Sequence, residues 1–276
     1  MFSQTALKIY ALKKERIVKS NAHFWREFND IDKIDAIEID VHKCNKELTN
    51  NGVSLVCAFD KEFPQLSANI KLSEKPFLFV YKGDISLLAN TDNNVAVVGV
   101  LTPSAEIVER ERKIVECLVQ KNFCIISGLA NGCDTIAHEQ CLFQKGKTIT
   151  ILPTTLDSIY PKKNAVLAEK IVQNGGLVIT EYITEPNNRY ESIKRFIERD
   201  RLQAMFASKI ILIASYMQGQ GDSGSRHAMA KAKEYCKERF VMYNEQADFD
   251  NPIFALNRSL ITDGVKIITP KELEEY

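Results

Sequence analysis

From residue 95 onward the sequence alternates between short apolar runs and longer amphipathic segments, and this alternation restricts the fold more than any other feature. The first run, Val95 to Val98, is continuously apolar, which is typical of a parallel strand covered on both faces. The segment from Ser104 to Gln120 then carries apolar residues at helical spacing. Such alternation requires crossover connections, so the sequence predicts an α/β fold with a doubly wound, mostly parallel sheet and helices on both of its faces.

The same alternation continues to the end of the chain. It predicts further strands at 123–126, 148–152, 177–180, 209–214, 239–243 and 266–269, and further helices at 135–143, 163–173, 192–207, 224–237 and 270–276. Before it, residues 1–52 are polar and charge-rich, with apolar residues at helical spacing, and strands are predicted at 53–59 and 76–80. We therefore expect a small helical N-terminal region at 1–52 and the α/β domain at 53–276.

The overall composition excludes several classes of protein. The 36 basic residues balance the 36 acidic ones, so the chain is not a polycation that coats nucleic acid, and any anion site must be a local arrangement of donors. No apolar run approaches the length of a membrane span, and the first 20 residues lack a secretion signal. The seven cysteines form no CxxC pair, which favours reduced thiols, no metal site and a cytoplasmic location.

Ligands of such sheets bind beyond the carboxyl ends of the strands, and the loop that starts at Ser127 has a suitable composition. Gly128 and Gly132 permit a close backbone approach, and successive amides there can form a concave anion nest. Asp134 is a plausible N-cap of the next helix. His138 lies one turn later, and a packed or capping histidine is favoured over a catalytic base.

A second glycine-rich loop precedes the helix predicted at 224–237. Ser223, Gly224 and Ser225 are small residues with hydroxyl donors, and Arg226 adds a charge that can grip a phosphate in two places. An anion site is favoured here over a flexible, solvated loop. The loop at 99–104 contains no GxGxxG, so a plain turn and a binding loop remain equally open there.

No enzyme motif accompanies these loops. The sequence contains no GxSxG, HExxH or Walker A pattern, so neither a catalytic residue nor a cofactor is predicted. The charged residues of the segment at 192–207 include Arg195 and Arg199, which share a helix face. From charge alone, a solvated face with salt bridges is the expected arrangement of that helix.

Several segments resemble, in order, the sequence blocks of the DNA-processing protein A (DprA/Smf) family. Ser127 to Asp134, followed by Ala137-His138, is similar to the family signature SGLAxGIDxxAH. The other matching blocks are DKEFPQL at 60–66, PFLFVYKGD at 76–84, LDSIYPKKN at 156–164, FIERDRL at 196–202, SGS at 223–225 and NRSLITDGV at 257–265. The agreement spans residues 53–268, and the chain is identified as a member of this family.

The resemblance implies an extended Rossmann-like core that binds single-stranded DNA, forms a homodimer and passes the DNA to a RecA-type recombinase during natural transformation. It implies a DNA-handling protein and not an enzyme. The phosphate-binding positions that carry over, with Arg226 added in place of a family leucine, are Ser127, Gly128, Gly132, Lys162, Lys163, Arg199, Arg201, Ser223, Gly224, Ser225 and Arg226.

Two positions depart from the family pattern. The family has GTR or GSR after the first parallel strand, and Leu101 stands here in place of the arginine. The loss of one bidentate phosphate contact costs about 1.5–3 kcal/mol. Asp200 replaces the asparagine of the family's RNR block and adds a negative charge beside the pocket. We therefore expect weaker or altered ligand preference.

Two other functions remain open at this point. Nucleotide phosphoribohydrolases of the same fold superfamily carry a PGGxGTxxE loop, but the segment from Gly219 to Ser225 lacks the proline, and Ala228 stands in place of the glutamate. This disfavours base release and leaves a nucleotide-binding sensor possible. The missing arginine also fits an interaction module that has lost the pocket.

Overall fold

The computed structural model describes residues 2–275, which leaves Met1 and Tyr276 outside the description. Four helices come first, and they are α1 (Gln4–Lys14), α2 (Asn21–Glu27), α3 (Ile31–Asp35) and α4 (His42–Asn50). The strands are β1 (Ser54–Cys57), β2 (Leu78–Gly83), β3 (Asn94–Val98), β4 (Cys124–Ser127), β5 (Thr148–Ile151), β6 (Leu177–Thr180), β7 (Lys209–Leu212), β8 (Glu238–Met242) and β9 (Lys266–Ile268). The later helices are α5 (Ala105–Gln120), α6 (Cys133–Phe143), α7 (Ala165–Gln173), α8 (Arg189–Met205), α9 (Arg226–Glu234), α10 (Ala255–Thr262) and α11 (Pro270–Glu275).

All nine strands of the described chain form one sheet, in the order β1-β2-β6-β5-β4-β3-β7-β8-β9. The pairs from β6 to β9 are parallel, whereas β2 runs antiparallel to both β1 and β6. The predicted mostly parallel α/β fold is therefore confirmed. Strand order reverses between β3 and β7, because the chain first builds the sheet outward on one side of β3 and then on the other.

The central strands are buried on both faces, as their continuous apolar sequences predicted. Every residue of β3, β4, β5 and β6 is buried. Packing helices over both faces removes these side chains from water, at about 25 cal/mol for each Å² of apolar surface. Among the described residues, no helix is both long enough and apolar enough to cross a membrane.

The N-terminal helices pack into the same apolar cluster as β1, β2 and α7. The rings of Phe24 and Phe77 stack with their centroids 4.1 Å apart. Lys13 of α1 donates to the backbone oxygen of Glu181, 2.6 Å away, just after β6. These contacts join the helical region to the sheet, and the domain boundary after residue 52 stays a prediction.

Helix boundaries show where the local predictions were wrong. Gly132, and not Asp134, is the N-cap of α6, and it has a positive φ of 71°. α8 begins at Arg189, three residues earlier than predicted, because the Asn188 side chain accepts a hydrogen bond from the amide of Glu191. The sequence patterns did not predict α10. The predicted last helix matches α11, and its final residue, Tyr276, lies outside the described residues.

Candidate nucleic-acid interface

The candidate site lies at the edge of the sheet where the parallel strands end. The loops after β3, β4, β5, β6 and β7 all leave this edge, because parallel strands present their carboxyl ends together. These loops, with Ser127 at the end of β4, carry all the predicted site residues except those on α8 and α9. Strand order reverses between β3 and β7, and a crevice forms at this edge where the loops of the two strands diverge. Open α/β sheets usually bind their ligands in such a crevice.

The loop after β4 is fixed by hydrogen bonds to Asp134, in the first turn of α6. The carboxylate oxygen Oδ2 of Asp134 accepts hydrogen bonds from the amides of Gly128 at 3.1 Å and Ala130 at 3.3 Å. Ser127 is fully buried, and its hydroxyl donates to the backbone oxygen of Val97 at 2.7 Å. Two amides of the loop therefore converge on a carboxylate of the protein itself, and an anion nest for a ligand stays a prediction.

Arg199 of α8 points into the interior behind this loop. Its side chain is 6% exposed, and its guanidinium lies where a β-carbon on Gly128 would be. Nη1 lies 3.8 Å from Asp134 Oδ2, and Nε lies 3.3 Å from Asp200 Oδ1. With its side-chain oxygen turned toward them, Gln203 accepts from Gly128 N at 3.0 Å and from Arg199 Nη1 at 2.7 Å. The guanidinium thus holds the loop through buried contacts.

Burial controls the protonation of the groups around Arg199. It raises the pKa of Asp134, although the Arg199 charge and the loop amides oppose the shift. Burial raises the pKa of Asp200 to about 7, with Asp134 adding to the rise and Arg199 opposing it. Burial and the Arg199 charge lower the pKa of His138 to about 3.

His138 is a packed histidine, as favoured above. It is 0% exposed, and its Nδ1 lies 2.7 Å from the hydroxyl of Thr148. That hydroxyl donates its one hydrogen to the backbone oxygen of Ile125 at 2.8 Å, so Nδ1 carries the proton and donates to it. The imidazole is neutral and fully buried.

Arg201 lies on the side of α8 that faces the N-terminal helices. Its Nη1 and Nη2 donate to the two carboxylate oxygens of Glu181 at 2.8 Å and 2.7 Å. Nη1 also donates to the backbone oxygen of Glu198 at 2.6 Å, and Nε to that of Glu74 at 3.0 Å. Phosphate binding by Arg201 stays a prediction, and it requires Glu181 to release the guanidinium.

Gly132 joins the loops after β3 and β4. A β-carbon at this position would collide with the backbone of Val100 and Leu101, so only glycine permits this approach. The amide of Cys133 donates to the backbone oxygen of Val100 at 3.1 Å, which fixes the contact. This contact joins the two loops.

The loop after β7 closes over the end of β3. The carboxylate of Asp222 accepts from the amides of Leu101 at 2.6 Å and Gly224 at 3.4 Å. The Ser225 hydroxyl donates to the backbone oxygen of Gly99 at 2.9 Å. This loop and the β3 end are therefore joined, which the sequence reading of either loop alone did not predict.

Two further predicted residues of that loop contact each other. Nη1 of Arg226 donates to the backbone oxygen of Ser223 at 2.9 Å and to its hydroxyl at 3.1 Å. Ser223 is buried, whereas Gly224 is exposed and Arg226 is half-buried. Arg226 thus stands at the same end of the sheet with part of its side chain open to solvent.

A groove of about 1070 Å³ opens beside these loops, between the loop after β5 and the start of α8. Its walls include Tyr160, Lys162, Arg189, Ile193 and Phe196, and we call this set the aromatic groove. The rings of Tyr160 and Phe196 meet edge to face with centroids 5.7 Å apart, and Tyr160 is 59% exposed. The groove therefore combines ring surface with cations, and the carboxylates of Asp157, Glu169 and Glu185 also line it.

The predicted residues fall into three places. Lys162 lines the aromatic groove, and the next residue, Lys163, is exposed. The residues from Ser223 to Arg226 lie in the loop that closes over β3, whereas Arg199 and Arg201 face the interior. Within residues 2–275, no cluster of acidic, histidine or cysteine side chains has the arrangement of a metal site.

Sequence reasoning missed the aromatic residues of the groove. Tyr160 and Phe196 stand inside the blocks LDSIYPKKN and FIERDRL, and they served there only to align the chain. Exposed rings interleaved with cations are typical of single-strand binding surfaces. That signal was in the sequence, but the 35 residues between Tyr160 and Phe196 hid their proximity.

The model of the DNA recombination-mediator protein A family matches residues 54–274. The chain belongs to the DprA/Smf family. Among curated relatives, the DNA processing protein DprA of Streptococcus pneumoniae is 32% identical over 199 residues, which cover 72% of this chain and 66% of that protein. Protein Smf of Synechocystis is 32% identical over 211 residues, and this chain spans only 50% of its length.

Solved structures of family members share the fold. The S. pneumoniae DprA structure superposes with a TM-score of 0.75 at 26% identity, and the match covers 98% of this chain and 96% of that one. Helicobacter pylori DNA processing protein A, described for its single-stranded DNA binding mode, gives a TM-score of 0.65 at 25% identity. That match covers 81% of this chain and 97% of the H. pylori chain.

Proposed function

We propose that this protein binds single-stranded DNA and handles it without cleaving it or changing it chemically. The aromatic groove is the observation that carries the proposal. It places the exposed ring of Tyr160 and the half-buried ring of Phe196 beside the cations of Lys162 and Arg189, at the edge of the sheet where the parallel strands end. The single-stranded DNA binding described for the H. pylori relative supports the same function.

The geometry supports a preference for single strands over duplex. Base stacking on an aromatic side chain contributes about 1–3 kcal/mol per base, but only an unpaired base exposes its face. A groove with few cations contacts few phosphates, so the affinity depends on ring contacts more than in a strongly basic protein. A chain with a net charge of zero is compatible with such a site.

The cellular role that we propose is the one implied by the family resemblance. In this proposal the protein acts in the cytoplasm as a homodimer, protects or presents the strand, and passes it to a RecA-type recombinase during natural transformation. The buried, neutral His138 and the lack of a catalytic motif in the sequence support a role without catalysis. The phosphate contacts from the glycine-bearing loops, including Ser127, Gly128 and Gly132, remain part of the proposal.

A binding titration tests this function. A labelled single-stranded oligonucleotide, the matching duplex and a mononucleotide are each titrated by fluorescence anisotropy at several salt concentrations. We expect the single strand to bind most tightly, with an affinity that falls as salt rises with a slope set by a few phosphates. Folded protein that shows no affinity for the oligonucleotide at low salt contradicts the proposal, and equal affinity for the mononucleotide favours a nucleotide sensor.

A further inference from the structure

The crevice between β3 and β7 already contains a negative charge that belongs to the protein. Strand order reverses at this point, and anionic ligands of open α/β sheets bind beyond the strand ends there. In this chain the carboxylate of Asp222 occupies the position. Its Oδ2 accepts from the amide of Leu101 at 2.6 Å, and its Oδ1 accepts from the amide of Gly224 at 3.4 Å.

The carboxylate is held by backbone donors and not by a cation. Across residues 2–275, no lysine, arginine or histidine lies within ion-pair distance of Asp222. Arg226, four residues later, turns its Nη1 to Ser223 instead. Two amides from different loops that converge on one anion are the donors that a phosphate oxygen also uses.

The backbone of Asp222 is held in place, because its carbonyl oxygen accepts from the Tyr216 amide at 3.2 Å, so release of the carboxylate requires only rotation of the side chain. Gly219 has a φ of 85° and Gly221 a φ of 157°, so both adopt conformations that other residues rarely do. A β-carbon on Gly221 would collide with the ring of Tyr216, whereas one on Gly219 would meet nothing within 4 Å. Asp222 itself is half-buried, and residues 219–221 are exposed.

We propose that Asp222 is an internal competitor for a phosphate subsite made by the amides of Leu101 and Gly224, and that this residue limits the affinity for single-stranded DNA. A phosphate group of the strand binds there only when the carboxylate leaves. This inference rests on the proposed binding of single-stranded DNA for its biological role, but the phosphate subsite is testable by itself.

The side chain of Leu101 increases the effect of Asp222. Leu101 provides an amide to the subsite but no positive charge, and 46% of the residue is exposed beside it. A phosphate that replaces the carboxylate therefore forms no ion pair with residue 101. The exchange replaces one anion with another at the same two amides. The carboxylate has the advantage of being part of the same chain, which gives it a high effective concentration.

Inorganic phosphate is the probe for the subsite. The ¹⁵N-labelled full chain is titrated with phosphate, and the amide signals of Leu101 and Gly224 are followed in the wild type, in Asp222→Asn and in Asp263→Asn. The asparagine oxygen still accepts from the Leu101 amide, so the loop keeps its shape. Asp263→Asn removes the same charge from an exposed position after α10.

We expect Asp222→Asn to bind phosphate about tenfold more tightly than the wild type, since a charged acceptor that binds more strongly than a neutral one by about 1.4 kcal/mol changes an equilibrium tenfold. Asp263→Asn should resemble the wild type. Equal phosphate responses in all three proteins, or signal changes that avoid Leu101 and Gly224, overturn the proposal. Asp222→Ser, which shortens the side chain, serves as a second variant and should also bind more tightly.

Oligonucleotide titrations of the same variants connect the subsite to function. Asp222→Asn should bind single-stranded DNA more tightly, with a steeper salt dependence because one more phosphate is contacted. If the wild type and the variants all fail to bind the oligonucleotide, the proposed function fails, but the phosphate titration still decides the role of Asp222. If the oligonucleotide binds and Asp222→Asn matches Asp263→Asn in both titrations, only the Asp222 proposal fails.

Discussion

The guanidinium of Arg199 fills the space that a side chain at Gly128 would need. The arginine lies on α8 and the glycine follows β4, and Gln203 and Asp134 contact both residues. The glycine is therefore required by the arginine behind it, and its φ is not in the left-handed region. Arg199 therefore supports this loop through buried contacts, and its binding to a phosphate stays a prediction.

Gly128→Ala should destabilise the protein by about 1–3 kcal/mol, because the new methyl group forces the guanidinium out of a packed site. Urea unfolding measures the change. Gly224→Ala is the matched control, since its β-carbon would meet only Asp222 Oδ1 at 3.8 Å. A Gly128→Ala variant as stable as Gly224→Ala would show that Arg199 is free to move.

Arg201→Met should cost about 3–5 kcal/mol of stability, because it leaves the buried carboxylate of Glu181 without its partner. The double variant Arg201→Met with Glu181→Met should recover a large part of this loss, since it leaves no unpaired charge. Urea unfolding of the two single variants and the double variant measures the coupling. Full stability of Arg201→Met, together with weaker DNA binding, would instead support the phosphate role.

Asp200 should make the stability depend on pH. Its folded pKa of about 7, raised by burial and by Asp134, lies above the unfolded value of about 3.9. The folded state therefore holds the proton more tightly between these values. Its contribution to stability is complete below about pH 4 and is lost as the pH rises to about 7.

Asp200→Asn should remove this pH-dependent loss of stability. The free energy of unfolding of the variant should therefore rise relative to that of the wild type from pH 4 to pH 7, by up to about 1.4 kcal/mol per pH unit. Urea unfolding at pH 5, 6 and 8 checks the trend. Asp263→Asn, at an exposed position, should give a nearly constant difference from the wild type. A constant difference for Asp200→Asn as well would contradict the assigned ionisation.

Tyr160→Ala should weaken single-strand binding by about 1–3 kcal/mol if a base stacks on this ring. The salt dependence should stay unchanged, because stacking releases no counterions. Phe143→Ala removes another exposed ring, 79% accessible at the end of α6, and should leave binding unaffected. Equal losses from the two variants would argue against stacking in the aromatic groove.

Lys162→Ala, unlike Tyr160→Ala, should change the salt dependence of single-strand binding. The loss of one phosphate contact on a single strand lowers the salt slope by about 0.7, with a modest loss of affinity. Lys121→Ala is the matched control, because this exposed lysine follows α5 at the far edge of the sheet. An unchanged slope for Lys162→Ala would place the strand outside the groove.

The local pattern of the sequence was enough to predict the sheet and most helices. Apolar runs such as Val95 to Val98 identify buried strands, because covering both faces requires apolar residues on both. Once the strands were identified, the glycine-bearing loops that follow them could be located as well. The first residues of α6 and α8 were predicted wrongly, because the caps Gly132 and Asn188 determine them. Hydrophobic periodicity carries no information on cap geometry.

The directions of charged side chains were decided only by the tertiary structure. Spacing predicted that Arg195 and Arg199 share a face of α8, but not that this face is buried, and all three arginines at 195, 199 and 201 are 5% exposed. Whether a charge lies inside depends on a partner such as Glu181 or Asp134 that the chain supplies from another element. Leu101 and Asp222 are 121 residues apart in sequence, and only the sheet order, which places β7 beside β3, brings that amide and that carboxylate together.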